Sequence, residues 1–128
     1  RSTPEWDAEA LKLTDGQGVD LVLETGGADT FQRSLQAAAF AGTIFVIGLL
    51  GGLKPVIDVL PIIGKALRVQ GNNTGPVEDL ADAAAAVAAH RIIPVVDRRF
   101  QIEDVKEAYA LLAAGGLHFG KLAFELPG

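Results

Sequence analysis

Short, mostly apolar runs recur along this chain, separated by segments whose apolar residues return every three or four positions. Runs of this kind are typical of strands buried in a parallel sheet, where both faces are covered. Glycine or proline stands close to most of them, which marks where each strand would begin or end. The predicted strands are 19–24, 43–47, 67–70, 95–100 and 121–125.

Four segments beside these runs have the spacing of amphipathic helices. Pro4 and Pro76 suit the first position of a helix, where the missing N–H is not needed. Asp29, with Gln32 three residues later, predicts the start of the second helix, and Gly42 predicts its end. The predicted helices are 4–14, 29–42, 76–91 and, approximately, 102–114.

The order strand, helix, strand, loop, strand, helix predicts an α/β fold with a parallel sheet and right-handed crossovers. Segment 49–65 is rich in glycine and proline and predicts an irregular connection. From Pro94 onward the rhythm changes, which indicates a second domain. In the first helix, Trp6, Ala10 and Leu13 lie on one face. The other three helices each have an apolar face that should pack inward, and these faces comprise Phe31, Leu35, Ala38, Val77, Leu80, Ala84, Val87, Ile102, Val105, Tyr109 and Leu112.

The amino-acid composition limits which partners the chain can bind and which kinds of site it can form. The chain has 128 residues, 49% of them hydrophobic, which is enough for a domain-sized core. Its net charge of −5 disfavours nucleic acid and anionic membranes, since both attract basic surfaces. Cysteine is absent, and the two histidines are far apart, so the sequence predicts neither disulfides nor a metal site.

The ends of the chain and its hydropathy suggest what kind of polypeptide it comes from. It begins with Arg1 and contains no methionine, so we expect it to be a piece of a longer protein. No apolar stretch is long enough to span a bilayer, and no signal peptide is visible. These features predict a cytoplasmic protein.

Glycine-rich turns follow three of the predicted strands, at 25–27, 48–52 and 71–75. Ligands of open α/β sheets bind at the carboxyl ends of the strands, and glycine allows the backbone to approach them closely. Any one of these turns is explained by a simple change of chain direction. Three in succession favour a shared ligand site.

Five strings, in order along the chain, resemble one family. They are DGQGVDLVLE (15–24), IFVIG (44–48), IPVVD (93–97), EAY (107–109) and HFGK (118–121). On these strings the chain is similar to the zinc-type alcohol dehydrogenases and quinone oxidoreductases of the medium-chain dehydrogenase/reductase superfamily. No single string is specific, but the set covers nearly all of the chain at compatible spacings.

The resemblance implies a divided architecture. Residues 1–92 would be the second half of a Rossmann-type parallel sheet with flanking helices, the C-terminal half of an NAD(P)-binding domain. Residues 93–128 would be the returning C-terminal segment of the GroES-like catalytic domain. The first three strands, with their GxGxxG phosphate turn, would belong to another part of the parent protein.

The resemblance also implies cofactor-binding positions. Residues 25–26 would lie near the cofactor ribose, residues 47–49 would line the nicotinamide side through backbone groups, and residues 72–74 would hold the carboxamide. Lys121 would act as a point charge toward the phosphates. The implied cofactor-binding residues are Thr25, Gly26, Ile47, Gly48, Leu49, Asn72, Asn73, Thr74 and Lys121.

Two functional hypotheses follow. In the first, the parent transfers a hydride between NAD or NADP and a small alcohol, carbonyl, quinone or activated alkene. The general acid and any zinc come from the remainder of the parent, so this chain holds no catalytic residue and is inactive alone. In the second, the chain is a non-catalytic interaction module that forms a homodimer through an exposed edge strand at 67–74. The sequence leaves open the choice of NAD or NADP and the zinc content.

Two ionisable residues have a structural and a functional interpretation. Glu24 ends a predicted buried strand, where a paired or solvated acid is favoured over a functional carboxylate. His118 precedes the last strand in a glycine-rich segment, where a turn residue is favoured over a catalytic base.

Overall fold

A computed structural model of the chain describes residues 3–126. The chain divides into two compact units, Arg1–Thr74 and Gly75–Gly128. This division falls after Thr74, whereas the sequence places the boundary between its two predicted domains after residue 92, so that assignment stays a prediction. Among the described residues, no helix is both long enough and apolar enough to cross a bilayer.

The first unit contains a three-stranded parallel sheet. Its strands are β1 (Val19–Glu24), β2 (Ala38–Val46) and β3 (Arg68–Gly71), in the spatial order β1-β2-β3. β1 and β2 pair from Leu21 with Thr43 to Glu24 with Val46, and β2 continues this register onto β3. The parallel sheet predicted from the apolar runs is confirmed.

Helices flank these strands in the first unit. They are α1 (Trp6–Leu13), α2 (Phe31–Ala37) and the short α3 (Leu60–Gly64), with a 3-10 turn at Gly27–Asp29. An ion pair between Arg33 and Asp7, at 2.6 Å, joins α2 to α1. Segment 49–65, which is predicted to be irregular, contains one short helix, the five residues of α3.

The core of the first unit is small and lies between α2 and the sheet. Leu35 and Ile44 are both fully buried at its centre. The cluster of buried residues consists of Phe31, Leu35, Ala38, Ile44 and Leu67, with Val22, Val46, Ile57 and Ile62 packed against it. The predicted inward face of the second helix is thus correct.

The ends of α2 differ from the sequence prediction. Asp29 lies in the 3-10 turn rather than at the cap, and Gln32 instead accepts a hydrogen bond from the Asp58 amide at 2.7 Å. The helix ends at Ala37, five residues before Gly42. Lys65 Nζ explains the early end, since it donates to the carbonyls of Gln36 at 2.6 Å and Ala38 at 2.8 Å.

The second unit pairs two parallel strands, β4 (Val96–Gln101) and β5 (Lys121–Glu125). Two helices complete it, α4 (Val77–Ala89) and α5 (Val105–Ala114), the latter preceded by a 3-10 turn at Ile102–Asp104. Their predicted positions along the sequence are confirmed.

The predicted inward faces of α4 and α5 are wrong in this chain. Val77 is 72% exposed and Tyr109 is 63% exposed, and the buried hydrophobic residues of the second unit are Phe100 and Ala108. The apolar period identifies a face that can be buried, but it does not supply the partner that would cover it.

Candidate functional site

The carboxyl ends of the three strands of the first unit meet at one edge of the sheet. Glu24 pairs with Val46, and Val46 pairs with Gly71, so the chain leaves all three strands at the same level. The Ile47 amide donates to the Glu24 carbonyl at 2.8 Å, and the Asn72 amide donates to the Val46 carbonyl at 2.9 Å. The first residues after each strand are therefore side by side.

Two segments at this edge are joined by hydrogen bonds between their backbones. We call residues 25–30 the β1 loop and residues 47–53 the β2 loop. The Gly51 amide donates to the Gly26 carbonyl at 2.5 Å, and the Ala28 amide donates to the Gly52 carbonyl at 3.0 Å. Because the bonds run in both directions, neither loop can move without straining the other.

Glycine is required where the loops touch. A Cβ atom on Gly48 would collide with the carbonyl oxygen of Thr25, which is backbone and cannot rotate away. Gly27 has φ +79°, and a Cβ there would lie 2.5 Å from the Gly52 carbonyl oxygen. At this edge, the backbones of the β1 loop and the β2 loop consequently lie in direct contact.

A buried carboxylate lies beneath the β1 loop. Glu24 is 2% exposed. Its Oε1 accepts hydrogen bonds from the amides of Gly26 at 2.7 Å and Gly27 at 2.8 Å, and from Thr30 Oγ1 at 2.6 Å. Its Oε2 accepts a hydrogen bond from Ser34 Oγ. The carboxylate is therefore satisfied by four neutral donors.

The pKa of Glu24 reflects opposing effects. Burial raises the pKa of its carboxyl group, while hydrogen bonds from Ser34, Thr30, Gly27 and Gly26 lower it. The hydrogen bonds outweigh the burial, so the pKa lies below its ordinary value. Stabilisation by this group is present above the ordinary pKa and is lost only as the pH falls through the lowered one. At neutral pH the carboxylate is ionised.

Two clefts flank the β1 loop. The first is mostly apolar and borders the β2 loop; its lining residues are Gly27, Phe31, Val46, Gly48, Leu49, Gly52, Leu53 and Pro55. The second is bordered by α1 and α2; its lining residues are Trp6, Val22, Leu23, Glu24, Thr25, Gly26, Thr30 and Ser34. Trp6, the single tryptophan of the chain, thus lies beside the strand-end turn.

The structure brings most of the predicted site residues to this edge. Thr25 and Gly26 begin the β1 loop, and Ile47, Gly48 and Leu49 begin the β2 loop. Side chains at Thr25, Ile47 and Leu49 are exposed, as are those of residues 72–74 that follow β3. Lys121 is in the second unit, where it begins β5 and its amide donates to the Val95 carbonyl at 2.8 Å.

Sequence reasoning missed the hydrogen-bonded cluster of Glu24, Thr30 and Ser34, and it missed the buried Nδ1 of His118. Glu24 was expected to be paired or solvated, but it is buried and held by backbone amides and by the hydroxyls of Thr30 and Ser34. The available signal was an acid at a strand end, followed by two glycines and, six and ten residues later, by hydroxyl side chains. His118 lies in the turn before β5, and its Nδ1 is buried without a hydrogen-bond partner among the described residues.

The sequence of the chain was compared with models of known protein families. The sequence model of the zinc-binding dehydrogenase family matches residues 1–89, more than half of the chain. The chain belongs to this family. The resemblance to medium-chain dehydrogenases/reductases drawn from the five strings is confirmed.

Curated members of the family are similar to nearly the whole chain. A zinc-type alcohol dehydrogenase-like protein of Schizosaccharomyces pombe is 33% identical over 98% of the chain. The L-threonine 3-dehydrogenase of Pyrococcus furiosus is 30% identical over 92% of it. The chain spans 37% of the length of the first relative and 35% of the second.

Solved structures of dehydrogenases share its fold. A Sinorhizobium meliloti protein described as an alcohol dehydrogenase superposes with a TM-score of 0.81 at 36% identity, over 94% of this chain and 35% of its own. An NAD-dependent alcohol dehydrogenase superposes with a TM-score of 0.79 at 26% identity, over 97% of this chain and 36% of its own. A mycobacterial protein complexed with NADPH superposes with a TM-score of 0.69 at 25% identity, over 96% of this chain and 40% of its own. The Rossmann-type half-sheet is thereby confirmed.

Proposed function

We propose that this chain supplies the nicotinamide half of the nucleotide site of an NAD(P)-dependent oxidoreductase. The parent would transfer a hydride between the cofactor and a small alcohol, carbonyl, quinone or activated alkene. The observation that carries the proposal is the edge at which three parallel strands end side by side in glycine-rich turns. Family membership, the NAD-dependent relative and the NADPH complex support it.

The residues of the edge fit a nicotinamide nucleotide. Because Gly48 has no Cβ, the two loops pack backbone to backbone at Thr25, so the groups that follow β1 and β2 lie close enough together to contact one nucleotide. We assign the ribose to Thr25 and Gly26, and the nicotinamide side to residues 47–49. Asn72, Asn73 and Thr74 would hold the carboxamide. The role of Lys121 toward the phosphates stays a prediction from the sequence.

The chemistry divides between cofactor and protein. Bound NAD(P) supplies the hydride or accepts it, and the protein supplies orientation. In this chain, strand-end backbone groups fix the carboxamide and hence the ring face that is presented. We assign the general acid and any zinc to the remainder of the parent, so the chain alone should bind without turning over substrate. Either NAD or NADP is compatible with this assignment.

The proposal predicts that NADH or NADPH changes the fluorescence of Trp6 in a saturable way. Trp6 is the single tryptophan and lines the cleft that Thr25 and Gly26 also line, so it can transfer excitation energy to a bound dihydronicotinamide. Affinity should be weak, in the millimolar range, because only part of the cofactor is contacted. Free tryptophan in the same titration corrects for absorption by the nucleotide.

A competition experiment sharpens this test. Reduced nicotinamide mononucleotide should compete with NADH, whereas AMP should not, because we assign the adenosine side to strands of the parent outside this chain. Saturable binding in which AMP competes as well as the mononucleotide would assign the other half of the cofactor to this chain. Absence of any Trp6 response would overturn the proposal.

A second candidate function is self-association. β3 (Arg68–Gly71) lies at the end of the strand order, and all four of its residues are exposed. An unpaired, exposed edge strand favours pairing with another chain. We propose that segment 67–74 pairs with its copy across a two-fold axis to form a homodimer.

The dimer proposal predicts a mass twice that of the chain in size-exclusion chromatography with light scattering. Val69→Lys, which places a charge on the edge, should shift the distribution toward monomer. Val59→Lys, at another exposed valine of the same unit, is the matched control and should not. A monomeric wild-type chain at high concentration contradicts the proposal.

A further inference from the structure

We propose that Glu24 is a positioning residue, whose buried carboxylate holds the β1 and β2 loops in the arrangement that receives the nicotinamide nucleotide. The inference rests on the proposed function of the edge and deepens it. Glu24 itself is 2% exposed, so it acts on the nucleotide through the loops and not by contact.

The carboxylate fixes the β1 loop from within. Both of its oxygens are used: one by the amides of Gly26 and Gly27 together with Thr30 Oγ1, the other by Ser34 Oγ. The amides belong to the turn, whereas Ser34 belongs to α2. One charged group therefore ties the turn to a helix that is packed in the core. Hydrogen bonds to an ionised acceptor are stronger than those between neutral groups.

The constraint extends from the β1 loop to the β2 loop. The same turn whose amides bind Glu24 offers the Gly26 carbonyl to Gly51, and the adjacent Ala28 amide donates to Gly52. The Glu24 carbonyl also accepts from the Gly48 amide at 3.1 Å. Glu24 therefore binds the β1 loop directly, and it is linked to the β2 loop both through Gly26 and through its own carbonyl.

A role in stability alone makes different predictions from a positioning role. Glu24→Gln keeps the size of the side chain and an acceptor oxygen, but it removes the charge and places an amide donor against Ser34 Oγ. If the network only stabilises the fold, the variant should loosen the whole first unit. If the network positions the loops, they should loosen ahead of the sheet.

Amide hydrogen exchange separates these cases. In Glu24→Gln, the Gly51 and Ala28 amides should exchange about tenfold faster, because charge-assisted bonds that order the loops are lost. The Ile44 amide, at the centre of β2, should change much less. NADH should bind about tenfold more weakly by the Trp6 titration. Equal acceleration at Ile44 would mean a purely structural role and would overturn the inference.

Asp7→Asn is the matched control. Asp7 is a partly buried acid of the first unit, and the change weakens its ion pair with Arg33. It should lower the melting temperature while leaving exchange in the loops and NADH affinity unchanged. If Glu24→Gln fails to fold, Thr30→Val removes one donor, keeps the carboxylate and should produce the same pattern more weakly.

The two levels of proposal fail in different ways. A wild-type chain without any nucleotide response, in which the loop amides still respond to Glu24→Gln, overturns the nucleotide site but keeps the control of the loops by Glu24. A wild-type chain that binds NADH, with equal affinity in Glu24→Gln, overturns the positioning role and keeps the nucleotide site.

Discussion

Replacing Leu35 with alanine should lower the free energy of unfolding of the first unit by about 2–5 kcal/mol. Leu35 has no exposed surface and packs in the cluster with Phe31, Ile44 and Leu67. The loss combines the transfer free energy of the deleted methyl groups with the cavity left in a core that has few residues to fill it. For a unit of this size such a loss is a large fraction of the total stability. Urea denaturation followed by Trp6 fluorescence measures it, since the only tryptophan lies in this unit.

Leu13→Ala is the matched control for this substitution. Leu13 is 77% exposed at the end of α1, so the same chemical change should alter stability by less than about 0.5 kcal/mol. Similar losses in the two variants would show that the core does not lie between α2 and the sheet.

Strands β1 and β5 were predictable because their signal is local. Residues 19–24 and 121–125 are short apolar runs, and the observed β1 and β5 have these bounds. α4 begins after Pro76, as proline at a helix start predicts. In each case the information lies within a few residues of the element itself.

The junction between α2 and β2 was not predictable, because residues distant in sequence determine it. The ammonium group of Lys65 binds the final carbonyls of α2, although it lies almost thirty residues further along the chain. Its own carbonyl accepts from the Ala41 amide, where Ala41 has φ +60°. Ala38–Gly42 therefore continues as strand rather than helix.

The exposed faces of the second unit show what an apolar period can establish. Leu80 and Leu112 recur at helical spacing, yet they are 69% and 52% exposed. The chain spans little more than a third of its relatives, so a face that sequence marks as buried need not find its partner within it.

The sheet edge that carries the proposed site was predictable from topology, but the side chains that support this edge were not. The rule that ligands bind at the carboxyl ends of parallel strands led to residues 25–26, 47–49 and 72–74, and the structure places the start of each segment at one edge. The rule does not indicate which side chains hold the edge in shape. Glu24 became identifiable only when Thr30 and Ser34 were seen to converge on it.

The edge is most sensitive to added volume at Gly48. Gly48→Ala should destabilise the first unit by about 1–3 kcal/mol, because the new methyl group meets the Thr25 carbonyl and forces the backbone apart. It should also weaken NADH binding about tenfold or more, since each backbone hydrogen bond that is misplaced costs about 1 kcal/mol. Urea denaturation and the Trp6 titration measure the two effects on the same samples.

Gly64→Ala distinguishes this effect from the general cost of replacing glycine. A Cβ on Gly64 has no atom within 4 Å, and the residue lies in α3. Alanine there should leave stability unchanged or raise it by up to about 1 kcal/mol, because it restricts the unfolded chain, and NADH affinity should not change. If Gly48→Ala lowers stability but binds NADH as tightly as wild type, the close contact between the loops serves the fold, and the nucleotide must lie elsewhere on the chain. If both properties fall together, the loop contact that fixes the sheet edge also shapes the nucleotide site.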